Sequence, residues 1–358
     1  MGTKASLGPP LVFCMKRILL LAGVLASFAW AWMQFNEMPL TVIGQPSSTG
    51  VMQGEKEAPF FKNLRDATGI SLQVSYKPLE SVGFKDTHQL AMLRDGVFDL
   101  ASLRFMQNTE AEPSLFGIDL PGFSPDYETA KKVVTAYSGT LDRYLLTSFK
   151  VKLLGIWTFG PQEMFCTRPI ARLQDIQGRK VRVGSLSLSD FISKLGGVAV
   201  SLPFDDTRNA LAMGLVDCAI TSAASANSAG WVASAPYNFR LAIHFGLNGY
   251  AMSLKKWNAL SAHEQAALQQ AFDRYLADIW QFSQALRIDA HRCNTGGPCQ
   301  HGTPYQGFAI IPSAQDVELL RSITRRTVLP DWGDKCERIH PGCMQEWQQK
   351  MAGLMPVS

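Results

Sequence analysis

The residues of this chain that offer chemistry are polar and cationic groups set where a small anion could reach them. Arg182 leads them. It lies in the string Gly-Arg-Lys-Val-Arg-Val-Gly-Ser at 178–185, between two valines. Strand alternation turns it away from the face that Val181 and Val183 cover. Near the end of a strand, a guanidinium can grip a carboxylate through two parallel hydrogen bonds. Its alternative use is an ion pair with a protein Asp. Gln45 with residues 47–49 forms a polar turn after an early strand. Arg104 is a second candidate cation, with a solvated surface position as its competing fate. Phe204 and Trp231 could wall an apolar pocket or sit in the core.

These residues need a scaffold, and the stretch 178–222 supplies one. After the basic strand, Ser187 with Asp190 resembles a capping box opening a short helix whose apolar face is Phe191, Ile192 and Leu195. Gly196-Gly197 ends it. A β-branched run at 198–202 follows, then Pro203-Phe204-Asp205-Asp206 opens a helix over 209–213 that Gly214 stops, and 216–220 reads as the next strand. Strand and helix alternating in this way predict an α/β layer with a parallel sheet. Ligands of such sheets sit beyond the carboxyl ends of the strands.

The same stretch, "GRKVRVGSLSLSDFISKLGGVAVSLPFDDTRNALAMGLVDCAITS", resembles the signature of the substrate-binding proteins of tripartite ATP-independent periplasmic (TRAP) transporters, with weaker similarity from about residue 40 onward. The resemblance implies an α/β, two-lobed periplasmic-binding-protein-like fold with crossing strands and a long lobe-spanning helix. It implies that Arg182 is the carboxylate clamp and that Thr221 is a polar ligand contact after the "VD" strand. Many relatives carry a second Arg where this chain has Gln162, so the expected site loses one full charge and gains an amide that donates and accepts. Lobe one is expected over 32–157 plus 246–287, and lobe two over 158–245 plus 288–358, including a Cys-bearing tail. The implied partners are a small organic acid, a monocarboxylate on the strength of Gln162, and the TRAP-type membrane permease subunits that receive it. No cofactor is called for.

Elsewhere, strands are expected at 40–45, 70–76 and 151–157, with helices near 88–93, after Asp126, and again over 137–149. Ser261 and Glu264 form a capping box. The helix behind it extends to about residue 292, roughly 30 residues and ~45 Å at 1.5 Å per residue. Its stripe of Leu268, Phe272, Tyr275, Leu276, Ile279 and Leu286 has helical spacing but no sustained heptad, so the chain reads as a monomer. Further helices are expected near 316–324 and 343–351.

Composition bounds the compartment. Met15-Lys16-Arg17 and the apolar run after it form a secretory leader over 1–31, with cleavage after Ala29-Trp30-Ala31. The run of about 15 residues is shorter than the ~20 that span a bilayer. Without Lys4, Lys16 and Arg17, the 34 basic residues fall to 31 against 30 acidic ones, which gives no reason to expect nucleic acid. A periplasmic location follows. Of seven Cys, Cys14 belongs to the leader and six remain, suiting disulfides in an exported chain. Cys293 with Cys299 and Cys336 with Cys343 are spaced for local bridges, whereas Cys166 and Cys218 either pair or stay as buried thiols. No paired CxxC supports a metal site. No GxSxG, P-loop or HExxH is present, so no catalytic constellation emerges. Two other readings use the same fold, a ligand-sensing module that docks on a receptor and an enzyme.

Overall fold

The computed structural model describes residues 1–2, 37–184 and 188–354. The expected leader, apart from its first two residues, and the Ser187 cap lie outside them. The described strands are, in chain order, β1 (Met38–Gly44), β2 (Leu72–Pro78), β3 (Leu100–Arg104), β4 (Val151–Thr158), β5 (Gln162–Cys166), β6 (Lys180–Val183), β7 (Val198–Ser201), β8 (Cys218–Ser222), β9 (Tyr237–His244), β10 (Leu247–Ser253) and β11 (Phe308–Ile310).

They form two sheets, ordered β2-β1-β3-β10-β4 and β11-β9-β5-β8-β6-β7. The expected parallel layer is present, since β6 runs parallel to both β7 and β8. Each sheet also takes in one strand from a crossing connection. β10 lies antiparallel between β3 and β4, and β5 lies antiparallel between β8 and β9. The crossings are short, residues 159–161 and 245–246, and they are tied together. The Thr158 hydroxyl donates to the Phe245 carbonyl, and the Gly160 N–H donates to the Thr158 hydroxyl at 2.7 Å. Gly246 has φ +59°, and a Cβ there would come within 2.4 Å of Gln162 Nε2. Only glycine therefore suits both the backbone and the space.

The helix Ala262–Asn294 has 33 residues and opens with the expected Ser261/Glu264 capping box. At about 50 Å it is long enough to touch both lobes. Trp280 Nε1 donates to the Ile156 carbonyl at 3.0 Å on β4. About two and three turns of helix farther on, Arg287 and His291 meet the fully buried Glu163 of β5 at 3.0 and 2.9 Å. Burial alone would raise the Glu163 carboxyl. The His291 hydrogen bond and the His291 and Arg287 charges outweigh it and hold the carboxyl below its ordinary value. Asn238 Nδ2 adds a further bond at 3.0 Å.

Two elements differ from expectation. The helices expected after Asp126 and over 137–149 are one continuous helix, Tyr127–Phe149, capped by Asp126. Ser138-Gly139 does not break it, because the buried Tyr137, Leu141, Tyr144 and Leu145 keep one face against the core. The tail, assigned wholly to lobe two, is divided. β11 adds to β9, and Asp316 accepts the Leu173 N–H at 2.7 Å. The helices Leu329–Ile339 and Cys343–Met351 pack against the first lobe instead. There Trp332 and Trp347 donate to the carbonyls of Pro113 and Gly117 at 2.8 and 2.7 Å. Buried indoles need such partners, and the 113–117 segment supplies them. The first of these two helices had no counterpart in the sequence reading.

All six cysteines of the described chain are paired, as Cys166–Cys218, Cys293–Cys299 and Cys336–Cys343. The first joins directly opposed residues of β5 and β8, which fixes the register of two strands that carry cleft residues.

Candidate functional site

The cleft lies where the carboxyl ends of β6, β7 and β8 face the loops of the first lobe. Arg182 is centred there because β6 pairs it with Val200 on one side and Ala219 on the other. Its Nε donates to the Leu202 carbonyl at 3.0 Å and its Nη1 to the Ile220 carbonyl at 3.3 Å. One acceptor lies just past the end of β7 and the other in the middle of β8, so the backbone of both flanking strands holds the guanidinium. The rings of Phe204 and Trp231 lie 6.0 and 5.5 Å from it, near enough for cation–π attraction.

Arg182 is buried, and among the described residues no carboxylate pairs with it. Its burial first, then the repulsion of Arg104, pull the guanidinium down to about 9, with Asp86 and Asp205 acting in the opposite sense. It keeps its proton at neutral pH, as a desolvated cation with unspent donors among its five N–H groups. Its remaining N–H groups can donate to the oxygens of an anion, so its chemistry suits an anionic ligand.

Arg104 has a different environment. It is buried rather than solvated, so the surface position does not hold. It closes β3 opposite Asn248 of β10, and its Nη1 pairs with Asp86 Oδ2 at 2.8 Å. Asp86 neutralises it, so Arg182, Arg104 and Asp86 together carry one net positive charge.

Two connected chambers meet at these arginines. The inner one, about 60 Å³, is lined in part by Thr49, Gln162, Thr221, Ser225, His244 and Asn248. The outer one, about 370 Å³, opens between residues 79–87 of the first lobe and 201–205 of the second. Arg104, Gln107, Arg182, Gly184 and Phe204 border both. Across the gap, Gln107 Nε2 donates to the Gly184 carbonyl at 3.4 Å, a contact between lobes at the mouth of the inner chamber.

Of the residues expected in the site, Arg182, Gln162, Thr221, Phe204 and Arg104 line the cavity. Gln162 turns Nε2 to the Gly160 carbonyl at 2.8 Å, which leaves its amide oxygen as the uncommitted end. Gln45 and Trp231 are elsewhere. Gln45 is buried against Ser102, with Nε2 3.0 Å from the hydroxyl, and its backbone N–H donates to Glu57 at 2.6 Å. Thr49, in the same polar turn, takes the place in the cleft. Trp231 is fully buried behind Arg182, its ring 4.9 Å from that of Phe204. It backs the cation rather than walling the cavity.

Sequence reasoning missed that Gln107, Asn248, Ser225 and His244 line the cavity. His244 Nδ1 lies 3.0 Å from Asp119, whose carboxylate also accepts the Phe245 and Leu247 N–H groups at 2.6 and 3.0 Å. Asp119 thereby fixes the crossing and leaves Nε2 as the free ring nitrogen of a cavity-lining His. Gly246-Leu247-Asn248 was the available signal, because a strand returning between lobes must pass the cleft.

A curated solute-binding protein of Albidiferax ferrireducens is 29% identical over 142 residues, 39% of this chain and 42% of that protein. The C4-dicarboxylate-binding periplasmic protein of Rhodobacter capsulatus is 24% identical over 223 residues, 61% of this chain and 66% of its own length. The matches span less than two thirds of either relative. The structure of an extracytoplasmic solute receptor of Bordetella pertussis that binds pyroglutamic acid superposes with a TM-score of 0.76 at 18% identity, covering 88% of this chain and 99% of that one. That likeness carries the two-lobed fold. The model of bacterial extracellular solute-binding protein family 7 matches residues 44–290, a span that holds both crossings, Arg182 and every cleft residue named above, and the chain belongs to that family.

Proposed function

We propose that this chain captures an organic acid bearing one carboxylate in its interlobe cleft and delivers it to a TRAP-type membrane permease. One observation carries the reading. Arg182 is a buried cation with no carboxylate partner among the described residues, whereas Arg104, the other arginine lining the inner chamber, is already paired with Asp86. A monoanion balances the site, and a dianion leaves one carboxylate desolvated without a partner, which is costly. The Bordetella receptor binds pyroglutamic acid, a monocarboxylate, whereas the Rhodobacter protein is named for C4-dicarboxylates. Gln162 supports the first type of ligand.

Export and hand-over belong to the same proposal. Among the described residues no helix is long and apolar enough to cross a membrane, and the leader at 1–31 would carry the chain outward. The proposed delivery partner is a TRAP-type permease in the membrane.

A thermal-shift panel of monocarboxylates (acetate, butyrate, benzoate, pyroglutamate) and dicarboxylates (malonate, succinate) tests the ligand class. A ligand at 100 times its dissociation constant adds about 2.7 kcal/mol of stability. The expected result is a clear rise with at least one monocarboxylate. No rise with any acid, or a consistent lead for the dicarboxylates, rejects the reading.

A further inference from the structure

The inner chamber has room for little beyond the acid group itself. At about 60 Å³ it is well under half the ~150 Å³ of cavity that accepts a benzene ring. The body of a ligand held by Arg182 must extend past the residues that border both chambers, Arg104, Gln107, Gly184 and Phe204 among them. Beyond them lies the outer chamber of about 370 Å³, more than twice the ~150 Å³ of apolar cavity that accepts a benzene ring.

The walls of the outer chamber define the body's chemistry. Leu79 and Phe84 face it from the first lobe, and Leu202, Pro203 and Phe204 from the second. Leu79 and Phe204 are buried, and Phe84 is held in place by stacking on Phe98 at 5.6 Å and 16°. The charged lining groups are of both signs, with Glu80, Asp86 and Asp205 against Lys85 and the two arginines. Asp86 is committed to Arg104 at 2.8 Å, and Glu80 accepts the Ser47 N–H at 3.1 Å. Two apolar walls facing each other across a slot, with the acid grip at its inner end, suit a flat or branched hydrocarbon body.

We infer that the ligand is a monocarboxylate with an apolar body of at least ring size, an arylalkanoate or a branched medium-chain acid, its carboxylate on Arg182 and its body between the Leu79–Phe84 and Leu202–Phe204 walls. The inference rests on the proposed capture of a monocarboxylate at Arg182 and adds the body that the acid carries. Small acids such as acetate reach the same clamp and leave the outer chamber to water.

Calorimetry on the full chain separates the two claims. The probes are acetate, butyrate, phenylacetate and 3-phenylpropionate, each titrated into the wild type, Phe84→Ala and Leu79→Ala. Each buried methylene is expected to tighten binding about fourfold, from about 0.8 kcal/mol per CH₂. On that basis 3-phenylpropionate should bind at least 100-fold tighter than acetate. Both variants should weaken 3-phenylpropionate by at least fivefold and leave acetate within twofold, which also shows that they fold. Equal affinity across the series, or equal losses for acetate and 3-phenylpropionate in the variants, overturns the inference while the clamp stands. Binding of none of the four overturns the capture reading itself.

Discussion

Asp86 decides how many charges the cleft can accept, and Asp86→Asn tests this. The substitution keeps the side chain's size and removes its charge. The wild-type carboxylate sits 2.8 Å from Arg104 Nη1, the two side chains being 24% and 10% exposed. That pair is shielded enough for its loss to matter. The other role of residue 86 is a backbone carbonyl accepting from Asn108 at 3.0 Å, which the change leaves intact. With the charge gone, Arg104 becomes a second unpaired guanidinium bordering both chambers. A hydrogen bond from it to a second ligand carboxylate is worth about 1.5–3 kcal/mol, or roughly 10- to 150-fold in affinity. Any general gain for anions raises butyrate and succinate alike, so the informative quantity is the ratio of their dissociation constants. Calorimetry should find butyrate favoured by the wild type and the ratio shifted toward succinate by that factor in Asp86→Asn. An unchanged ratio would refute the view that Asp86 masks a second cation.

Two further predictions concern the scaffold. Glu163→Gln should cost about 3 kcal/mol, the low end for a broken buried pair because Arg287 is 32% exposed. The Glu163 carboxyl is held below its ordinary value. Its contribution is therefore present above about pH 4.3 and lost as pH falls through the depressed folded value. Urea unfolding between pH 3 and 7 should show a shallower acid loss in the variant, and parallel curves would contradict this. The Cys166–Cys218 bridge closes a separation of 52 residues, against 6 and 7 for the other two. Chain entropy assigns it about 4 kcal/mol and the short bridges about 2. Replacing Cys166 and Cys218 by Ala should lower the melting temperature most, and an equal loss for each bridge would show that loop length does not govern.

What the sequence made legible was local. The strand, helix and strand run from Lys180 to Ser222, the Ser261/Glu264 cap and the two short cysteine pairs each depend on neighbours a few residues apart. Arg182 was readable because its strand and the glycines around it share one motif. Arg104 was not, since the partner that takes it out of solvent lies 18 residues upstream on another element. Gln107 and Asn248 reach the cleft only through the crossing of chain segments that the two sheets impose. Trp231 fails for a different reason. An aromatic in an Ala- and Ser-rich segment has the same surroundings in sequence whether its ring meets a cavity or the back of a cation. The helix Leu329–Ile339 carries Pro330 and Gly333, the two residue types least suited to a helix interior. Pro330 stands in its first turn, where no N–H is required, and Gly333 is buried within it.

The measurement that bears most directly on the central claim is calorimetric titration of butyrate and 3-phenylpropionate into wild type, Arg182→Ala and Arg182→Lys. Among the described residues Arg182 is a buried cation lining the cleft with no carboxylate partner, so truncation should cost about 2–5 kcal/mol of binding. At 1.4 kcal/mol per decade that is a loss of roughly 30-fold to several thousand-fold. Lysine should recover only part of it, because an ammonium cannot bridge the Leu202 and Ile220 carbonyls and a carboxylate as the planar guanidinium does. Wild-type affinity retained in Arg182→Ala would contradict the account and remove the clamp from it.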